Sequence, residues 1–457
     1  MIPASPYPTP LRIFFADSAH LVDDLAPALE LPAGAHGVLL KGKLGQRSVI
    51  VKEPGPFQSP ERALRELTFH CLLSQKGVPY IVPLLGYRGE VCPVIKKLPG
   101  PDLFTRYLSG SSPPPPFPKI LQIVYEMLAG LAAMHQSKVF HHDIKWENLV
   151  LGKGGLFFID WSLVSYVDDY PCWHLKGTRE SASPELLLKT RVDSEAAPKI
   201  DIFSVGILLF EMLTGLGSFY DLKKSGEGPY SNSDYVHALI QRLGPPPQAV
   251  VEQSLRKEQF ISLADGTQFY TAPKTEACQD LDPWEQELCE SLFFKQIPAR
   301  AREEFVTLLR SMLTWKSADR KGAAELLALP PLSSVISVHL RFKRNFEVFC
   351  RCSLEIRPVG AEFSLIKIPL GDLFSCEQPL TLPFGAGRYD IVLNSDRGTF
   401  SVPLSLSHGD TLLLVSPTQI DVVPPVASDD TGILNSTWPY PPPPVPAAAG
   451  AGSEGFI

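Results

Sequence analysis

The chain of 457 residues carries a net charge of -7, with 44% hydrophobic and 20% charged side chains. Such a length suits two or three domains, and such a composition excludes a disordered chain. The acidic balance, with no basic run to offset it, argues against nucleic-acid binding, where phosphate contacts need a basic face.

Residues 1–10 are Pro-rich, Leu11–Ala16 has the pattern of a strand, and residues 20–31 read as short mixed helix or loop. Residues 1–26 are therefore set apart as an N-terminal extension. Acidic residues interrupt this start where a secretory leader would be continuously apolar, so a reducing compartment, cytoplasmic or nuclear, is expected. In AGAHGVLLKGKLGQRSVIVKE, Gly34 and Gly37 precede an apolar strand, Leu44-Gly45-Gln46-Arg47 forms a hairpin turn, and Ser48–Lys52 returns as the next strand. Two such glycines are a flexible turn in most proteins, and a strand lysine is commonly a surface one. The following helix gives Lys52 its interest. Ser59-Pro60 supplies an N-cap and a first-turn proline, and Leu64, Leu67 and Cys71 recur at helical spacing. Glu66 and Glu61 on that helix are the two acidic candidates to meet Lys52, with Glu66 preferred.

PYIVPLLGY reads as a strand and turn, and CPVIKKLPGPDLF brings Ile95, Lys96–Leu98 and Asp102. Ser111–Pro118 is a stiff proline connector, with partner docking as the alternative. KILQIVYEMLAGLAAMHQSK places Leu121, Val124, Leu128 and Leu131 on one face of a long buried helix. No apolar run is expected to reach membrane-spanning length, so no membrane partner is expected. VFHHDIKWENLVLGKGGLFFIDWS then delivers His141, Asp143, Lys145, Asn148 and Asp160. Phosphoryl transfer needs this kind of set: one carboxylate orients a hydroxyl, while an amide and a second carboxylate hold a hard cation. Lys176-Gly177-Thr178, Ser183-Pro184-Glu185, Asp201 at the head of KIDIFSVGILLFEMLTG, a long insertion over 216–300 and Arg320 complete this part.

Past Pro331 short alternating runs are broken by Gly, Pro, Asp and Asn. They predict a small antiparallel β domain over 333–423, with the form of a sandwich. LPFGAGRYDIVLNSDRGTFSVPLSLSHGD faintly resembles PEGA modules. An interaction module with a protein partner and a passive cap are both open readings. Cys350 and Cys352 alternate in a strand-like run, and the eight cysteines include no C-x-x-C pair, so no zinc site is expected. Residues 424–457 have the composition of a Pro-rich disordered tail, and Asn435-Ser436-Thr437 within it reads as a chance sequon.

From about residue 30 to 332 these motifs, in this order, resemble the eukaryotic-type serine/threonine protein kinases, with H-x-D-x-K-x-x-N followed by a D-F-G-like Asp160-Trp161-Ser162. The resemblance implies an α+β bilobal kinase fold over 27–332, N lobe about 27–96 and C lobe about 97–332, followed by the β domain and tail. It implies ATP and Mg²⁺ as cofactors and protein serines or threonines as substrates. Gly34 and Gly37 then belong to the phosphate lid, Lys52 with Glu66 to the phosphates, Ile95 to the back of the adenine pocket, Leu98 to the hinge and Asp102 to the ribose. Asp143 orients the substrate hydroxyl, Lys145 steadies the transferring phosphate, Thr178 bridges the two, and Asn148 and Asp160 hold metal. Arg320 takes the place of the arginine that pairs with Glu185. The insertion is similar to that of the CMGC group, especially its SR-protein-kinase-like branch.

Departures from the family pattern sharpen the reading. His142 stands where an arginine normally grips a phosphorylated loop, so little dependence on loop phosphorylation is expected. Trp161 can fill the phenylalanine slot, whereas Ser162 for glycine costs up to about 1 kcal/mol if φ is positive there. The lid lacks a full G-x-G-x-x-G, and Lys96 replaces the usual acidic hinge residue. These departures motivate a pseudokinase scaffold as the alternative to an active enzyme. Kinases of small molecules share H-x-D-x-x-x-x-N, but Thr178, Pro184-Glu185 and the insertion count against them.

Overall fold

The computed structural model describes residues 22–27, 37–44, 47–55, 58–88, 92–98, 100–109, 112–152, 155–172, 176–220, 222, 230–255 and 282–342, and in the C-terminal part 353–358, 366–369, 380–382, 387–395, 398–406, 409–416 and 419–423. Gly34, Leu11–Ala16, Cys350, Cys352 and the tail from residue 424 lie outside them.

The first lobe is a five-stranded sheet of β1 (Val22–Pro27), β2 (Gly37–Leu44), β3 (Arg47–Pro54), β4 (Leu84–Arg88) and β5 (Cys92–Lys96), ordered β1-β2-β3-β5-β4. All pairs are antiparallel, and Leu44 faces Arg47 across the expected hairpin. Val22–Pro27 is a strand rather than the helix or loop its sequence suggested. VDDLAP has no strand alternation, and the open edge of β2 supplies the ladder that makes it one. The sheet thus begins inside the segment set apart as an extension. Gly37 is held by sterics: its φ is +154°, and a Cβ there would lie 2.4 Å from the Glu53 carbonyl oxygen.

Helix α1 (Pro60–Gln75) starts where Ser59 accepts from the Arg62 N–H and Pro60 occupies the first turn. It buries Leu67 and Cys71 against Leu84 of the sheet. Its other flank carries the side chains that reach the site.

The second lobe is organised by α2 (Phe117–Gln136), the short strands β6 (Val139–Phe140), β7 (Leu149–Gly152), β8 (Gly155–Phe158) and β9 (Ser165–Tyr166), then α3 (Pro184–Leu188) and α4 (Ala197–Leu213). α2 is, against expectation, long and apolar enough to cross a membrane by length and composition. Its Ile120, Ile123, Val124, Met127, Leu128 and Leu131 are fully buried in the lobe's core, which accounts for that composition. Every residue of α4 from Ile200 to Leu213 is buried, so this helix is the central post. Around it stand α5 (Asn232–Leu243), α6 (Gln248–Gln253), α7 (Pro283–Glu290), α8 (Leu292–Lys295), α9 (Ala299–Arg310) and α10 (Ala323–Leu327). Arg320 is buried and grips Glu185 through two nitrogens at 2.9 and 3.0 Å, with its guanidinium over Phe203. Two parallel N–H donors on one carboxylate fix the foot of the segment leading into α3.

The C-terminal strands are β10 (Ile336–Phe342), β11 (Ser353–Pro358), β12 (Ile366–Pro369), β13 (Leu380–Leu382), β14 (Gly387–Ser395), β15 (Gly398–Leu406), β16 (Gly409–Ser416) and β17 (Gln419–Val423). They form two four-stranded sheets, β13-β10-β16-β17 and β12-β11-β14-β15. The expectation of a purely antiparallel domain is corrected by β10 and β16, which run parallel from Ile336↔Gly409 to Phe342↔Val415. Parallel neighbours need a long crossover, and the chain between these two strands builds the second sheet. Ile356 and Ile391, opposite in register, are both fully buried.

Candidate active site

The loop between β6 and β7 is carried on α4. The buried Asp201 carboxylate accepts the backbone N–H of His141 at 3.0 Å and of His142 at 2.7 Å, and lies 2.9 Å from His135 Nε2. Burial alone would raise the Asp201 pKa, but the hydrogen bond with His135 and the surrounding imidazoles bring it down to about 2. It therefore stays ionised, and two N–H groups at the loop's entry have a fixed acceptor. His142 follows with φ +62°, a left-handed conformation that costs a non-glycine residue about 1 kcal/mol. Its ring is buried, with Nε2 2.7 Å from Ser165 Oγ and beside the Tyr170 hydroxyl. Burial lowers its pKa to about 4, so the imidazole is neutral near pH 7.

From there the chain delivers Asp143 into a shared network. Its Oδ1 accepts from Thr178 Oγ1 at 2.6 Å and Thr178 N at 3.1 Å. Its Oδ2 accepts from Asn148 Nδ2 at 2.9 Å and lies 3.2 Å from Lys145 Nζ. Lys145 also donates to Thr178 Oγ1 at 2.9 Å. The carboxylate is thus oriented from three sides, and an ammonium stands beside it. Asn148 spends its nitrogen on the side chain and carbonyl of Asp143, which leaves its carbonyl oxygen as the remaining polar atom.

Across the cleft, Lys52 Nζ lies 2.5 Å from Glu66 Oε1 and 2.8 Å from Asp160 Oδ1. Glu61 sits exposed in the first turn of α1, away from this cluster. Burial would lower the Lys52 pKa, yet the two carboxylates outweigh it and raise the value. Burial likewise opposes ionisation of Asp160, but Lys52 and the Ser162 N–H hold its carboxyl well below the usual range. An ionised carboxylate and an amide oxygen suit a hard divalent cation. The positive φ of this turn falls on Asp160, at +67°, and not on Ser162, so the serine carries no left-handed strain. Trp161 is buried between the tilted rings of His70, centroids 5.5 Å apart, and His141, 5.3 Å apart, and fills the slot beneath the site.

The nucleotide-side candidates are placed less closely. Ile95 lies on β5 opposite Leu84 and Ile50. The Lys96 N–H goes to Pro83 and the Lys97 N–H to Ser48, with the half-buried Leu98 next in the chain. Asp102 forms an isolated bridge to Val150, and its carboxylate accepts the Thr105 N–H and hydroxyl at 2.7 and 2.8 Å. That carboxylate caps the following helical turn, so any ribose contact would compete with Thr105.

Sequence reasoning passed over three groups. Arg62 and Arg65 reach from α1 to the segment after Asp160: Arg62 Nε donates to the Ser162 carbonyl at 3.3 Å, and Arg65 grips Asp169. Their signal was the spacing of three residues on the helix that carries Glu66. Glu211 on α4 accepts the Trp146 indole N–H at 2.6 Å and the Phe219 N–H at 3.1 Å. A buried glutamate late in an apolar helix was its signal. Burial raises its pKa to about 7.

A family model described as "Protein kinase domain" matches residues 47–330, more than half of the chain. The chain is 30% identical over 207 residues to a "Serine/threonine-protein kinase US3 homolog" of Gallid herpesvirus 2, covering 43% of this chain and 49% of that protein. It is 27% identical over 310 residues to "Mitogen-activated protein kinase HOG1A" of Wallemia ichthyophaga, covering 66% and 74%. To "Dual specificity tyrosine-phosphorylation-regulated kinase 3" of Mus musculus it is 31% identical over 146 residues, covering 31% and 23%. The chain spans about half the length of the viral relatives it matches.

Proposed function

Because this chain belongs to the protein kinase family, we propose that it transfers the γ-phosphoryl group of ATP to serine and threonine hydroxyls of other proteins. The observation that carries this reading is Lys52, held at once by Glu66 and Asp160, facing a catalytic loop whose Asp143 is already oriented. Lys52 meets the nucleotide phosphates. Asp143 accepts a hydrogen bond from the substrate hydroxyl and takes its proton as transfer completes. Lys145 offsets the charge that develops on the transferred group, and Thr178 keeps it beside Asp143. Asn148 and Asp160 would hold Mg²⁺, which when bound neutralises phosphate charge. Leu98 offers its backbone to adenine, Ile95 backs that pocket, and Gly37 belongs to the chain covering the phosphates.

Membership of the CMGC group, with an insertion like that of its SR-protein-kinase-like branch, is part of the same proposal, supported by the sequence of the insertion after α4 and by the similarity to mitogen-activated and dual-specificity kinases. As part of the same proposal, the C-terminal β sheets serve a protein partner, and the site of action is cytoplasmic or nuclear. The test is the purified chain with Mg²⁺ and ATP on an array of serine and threonine peptides. Transfer that disappears in Asp143→Asn supports the reading. Transfer unchanged in that variant would refute the mechanism.

A further inference from the structure

The side of α1 that faces away from Lys52 is clasped to the segment following Asp160. Arg65 donates through Nη1 to Asp169 Oδ1 at 3.3 Å and through Nη2 to Asp169 Oδ2, and through Nε to the Val164 carbonyl at 3.4 Å. Its guanidinium lies 5.0 Å over the Phe69 ring, which packs on Tyr166. Asp169 Oδ2 also takes the Tyr166 N–H at 2.6 Å, which folds the short turn Val167–Asp169 around the carboxylate. Arg65 is adjacent in sequence to Glu66, about 100° around the helix. One residue therefore faces the segment while the next faces Lys52, and a displacement of α1 disturbs both.

The segment has few serines or threonines to modify, and its tyrosine hydroxyls are those of the half-buried Tyr166 and Tyr170. Between Asp160 and Thr178 the serines and threonines are Ser162 and Ser165 alone, and both are buried, at 8% and 5% exposure. Ser165 Oγ and the Tyr170 hydroxyl lie 2.6 Å apart beside His142. Residues 173–175 lie outside the described ones and carry no hydroxyl. A negative charge that elsewhere would have to be added is encoded here as Asp169.

We propose that Arg65 and Asp169 are positioning residues for the transfer site, their ion pair fixing α1, and through it Glu66 and Lys52, without phosphorylation of the segment. This rests on the kinase reading above. Bidentate guanidinium–carboxylate pairing sets the angle of α1 as well as its distance. Neither residue touches substrate; each acts through Glu66.

The test uses the full chain treated with phosphatase, together with Arg65→Gln, Asp169→Asn and the double variant. Asparagine keeps an acceptor for the Tyr166 N–H and removes the charge. Treated wild type should retain its rate. Each single variant should lose about tenfold in kcat, and the double variant no more than either, as expected of a coupled pair. Amide hydrogen exchange along α1 should quicken in all three variants while the thermal midpoint stays close to that of the wild type. Loss of activity on phosphatase treatment, additive losses, or unchanged α1 exchange would each overturn the proposal. Should wild type transfer no phosphate under any treatment, the kinase reading fails, and α1 exchange still decides the clasp.

Discussion

The two walls of the cleft are held by different forces. On the lower wall the catalytic loop hangs from Asp201 by two buried backbone hydrogen bonds, and α4 behind it is buried along most of its length. On the upper wall Lys52, Glu66 and Arg65 are held by side-chain ion pairs, Lys52 reaching down to Asp160 and Arg65 to Asp169 of the segment below, and the Arg65–Asp169 pair is about a quarter exposed. Backbone groups fixed to a core helix leave the lower wall no alternative arrangement. Ion pairs near solvent are weaker and rearrange more readily. In the proposed reaction the lower wall holds the reacting groups, and the upper wall is the one held by the more adjustable contacts.

Substitutions can break this contrast or sharpen it. Removing the oriented carboxylate has the largest effect: Asp143→Asn should lower kcat about 10³-fold, within the range for a positioned proton acceptor. Circular dichroism and the melting midpoint should stay close to wild type, since asparagine can retain the bond from Thr178. Next, Asp201→Asn should destabilise the fold by about 3 kcal/mol in urea unfolding, because a buried N–H of the loop loses its anionic acceptor. A loss below about 0.5 kcal/mol would place the support of the lower wall elsewhere.

The pH dependence follows from the buried imidazoles. His70 and His142 are neutral in the folded chain, burial having lowered each pKa to about 4 from 6.5. Below pH 6.5 the unfolded chain takes up protons that the folded chain refuses until about pH 4. Stability is therefore present above pH 6.5 and falls as pH drops, by on the order of 2 kcal/mol per histidine at pH 5. His142→Asn, which tolerates the same left-handed backbone, should flatten the profile of unfolding free energy between pH 7 and 5. An unchanged slope would show that His142 is not one of its sources. The smallest effect belongs to the upper wall. Glu66→Gln should reduce kcat/KM about tenfold, as a hydrogen bond replaces an ion pair at Lys52, and should weaken the thermal stabilisation by Mg²⁺-ATP. A hundredfold loss would mean that the upper wall is as rigid as the lower.

Most of the lower wall was legible in the sequence because its parts are close together. His141 to Asp160 span a loop and a hairpin, so spacing alone orders Asp143, Lys145, Asn148 and Asp160. Lys52 and Glu66 lie on a strand and the helix that follows, 14 residues apart, and the resemblance to kinases at that separation preferred Glu66 over Glu61. The hinge was read only as positions, and the capping of the next helical turn by Asp102, expected at a ribose, was not foreseen. The expectation that no apolar run reaches spanning length is not met at α2, because a core helix with a broad buried face and a membrane span can share one apolar composition. Ser162 was expected to strain the backbone only if φ were positive there, and the positive φ falls on Asp160 instead.

Local order along the chain therefore determined the kinase character, the lobes and the identity of the side chains proposed for the chemistry, because those groups lie at fixed short spacings. Tertiary structure alone decided that Val22–Pro27 is a strand, that β10 pairs parallel with β16, and that Arg65 meets Asp169 across 104 residues. Each of these depends on a partner edge or charge far away in the chain. No local pattern encodes such a partner, and folding of the whole lobe brings it within reach.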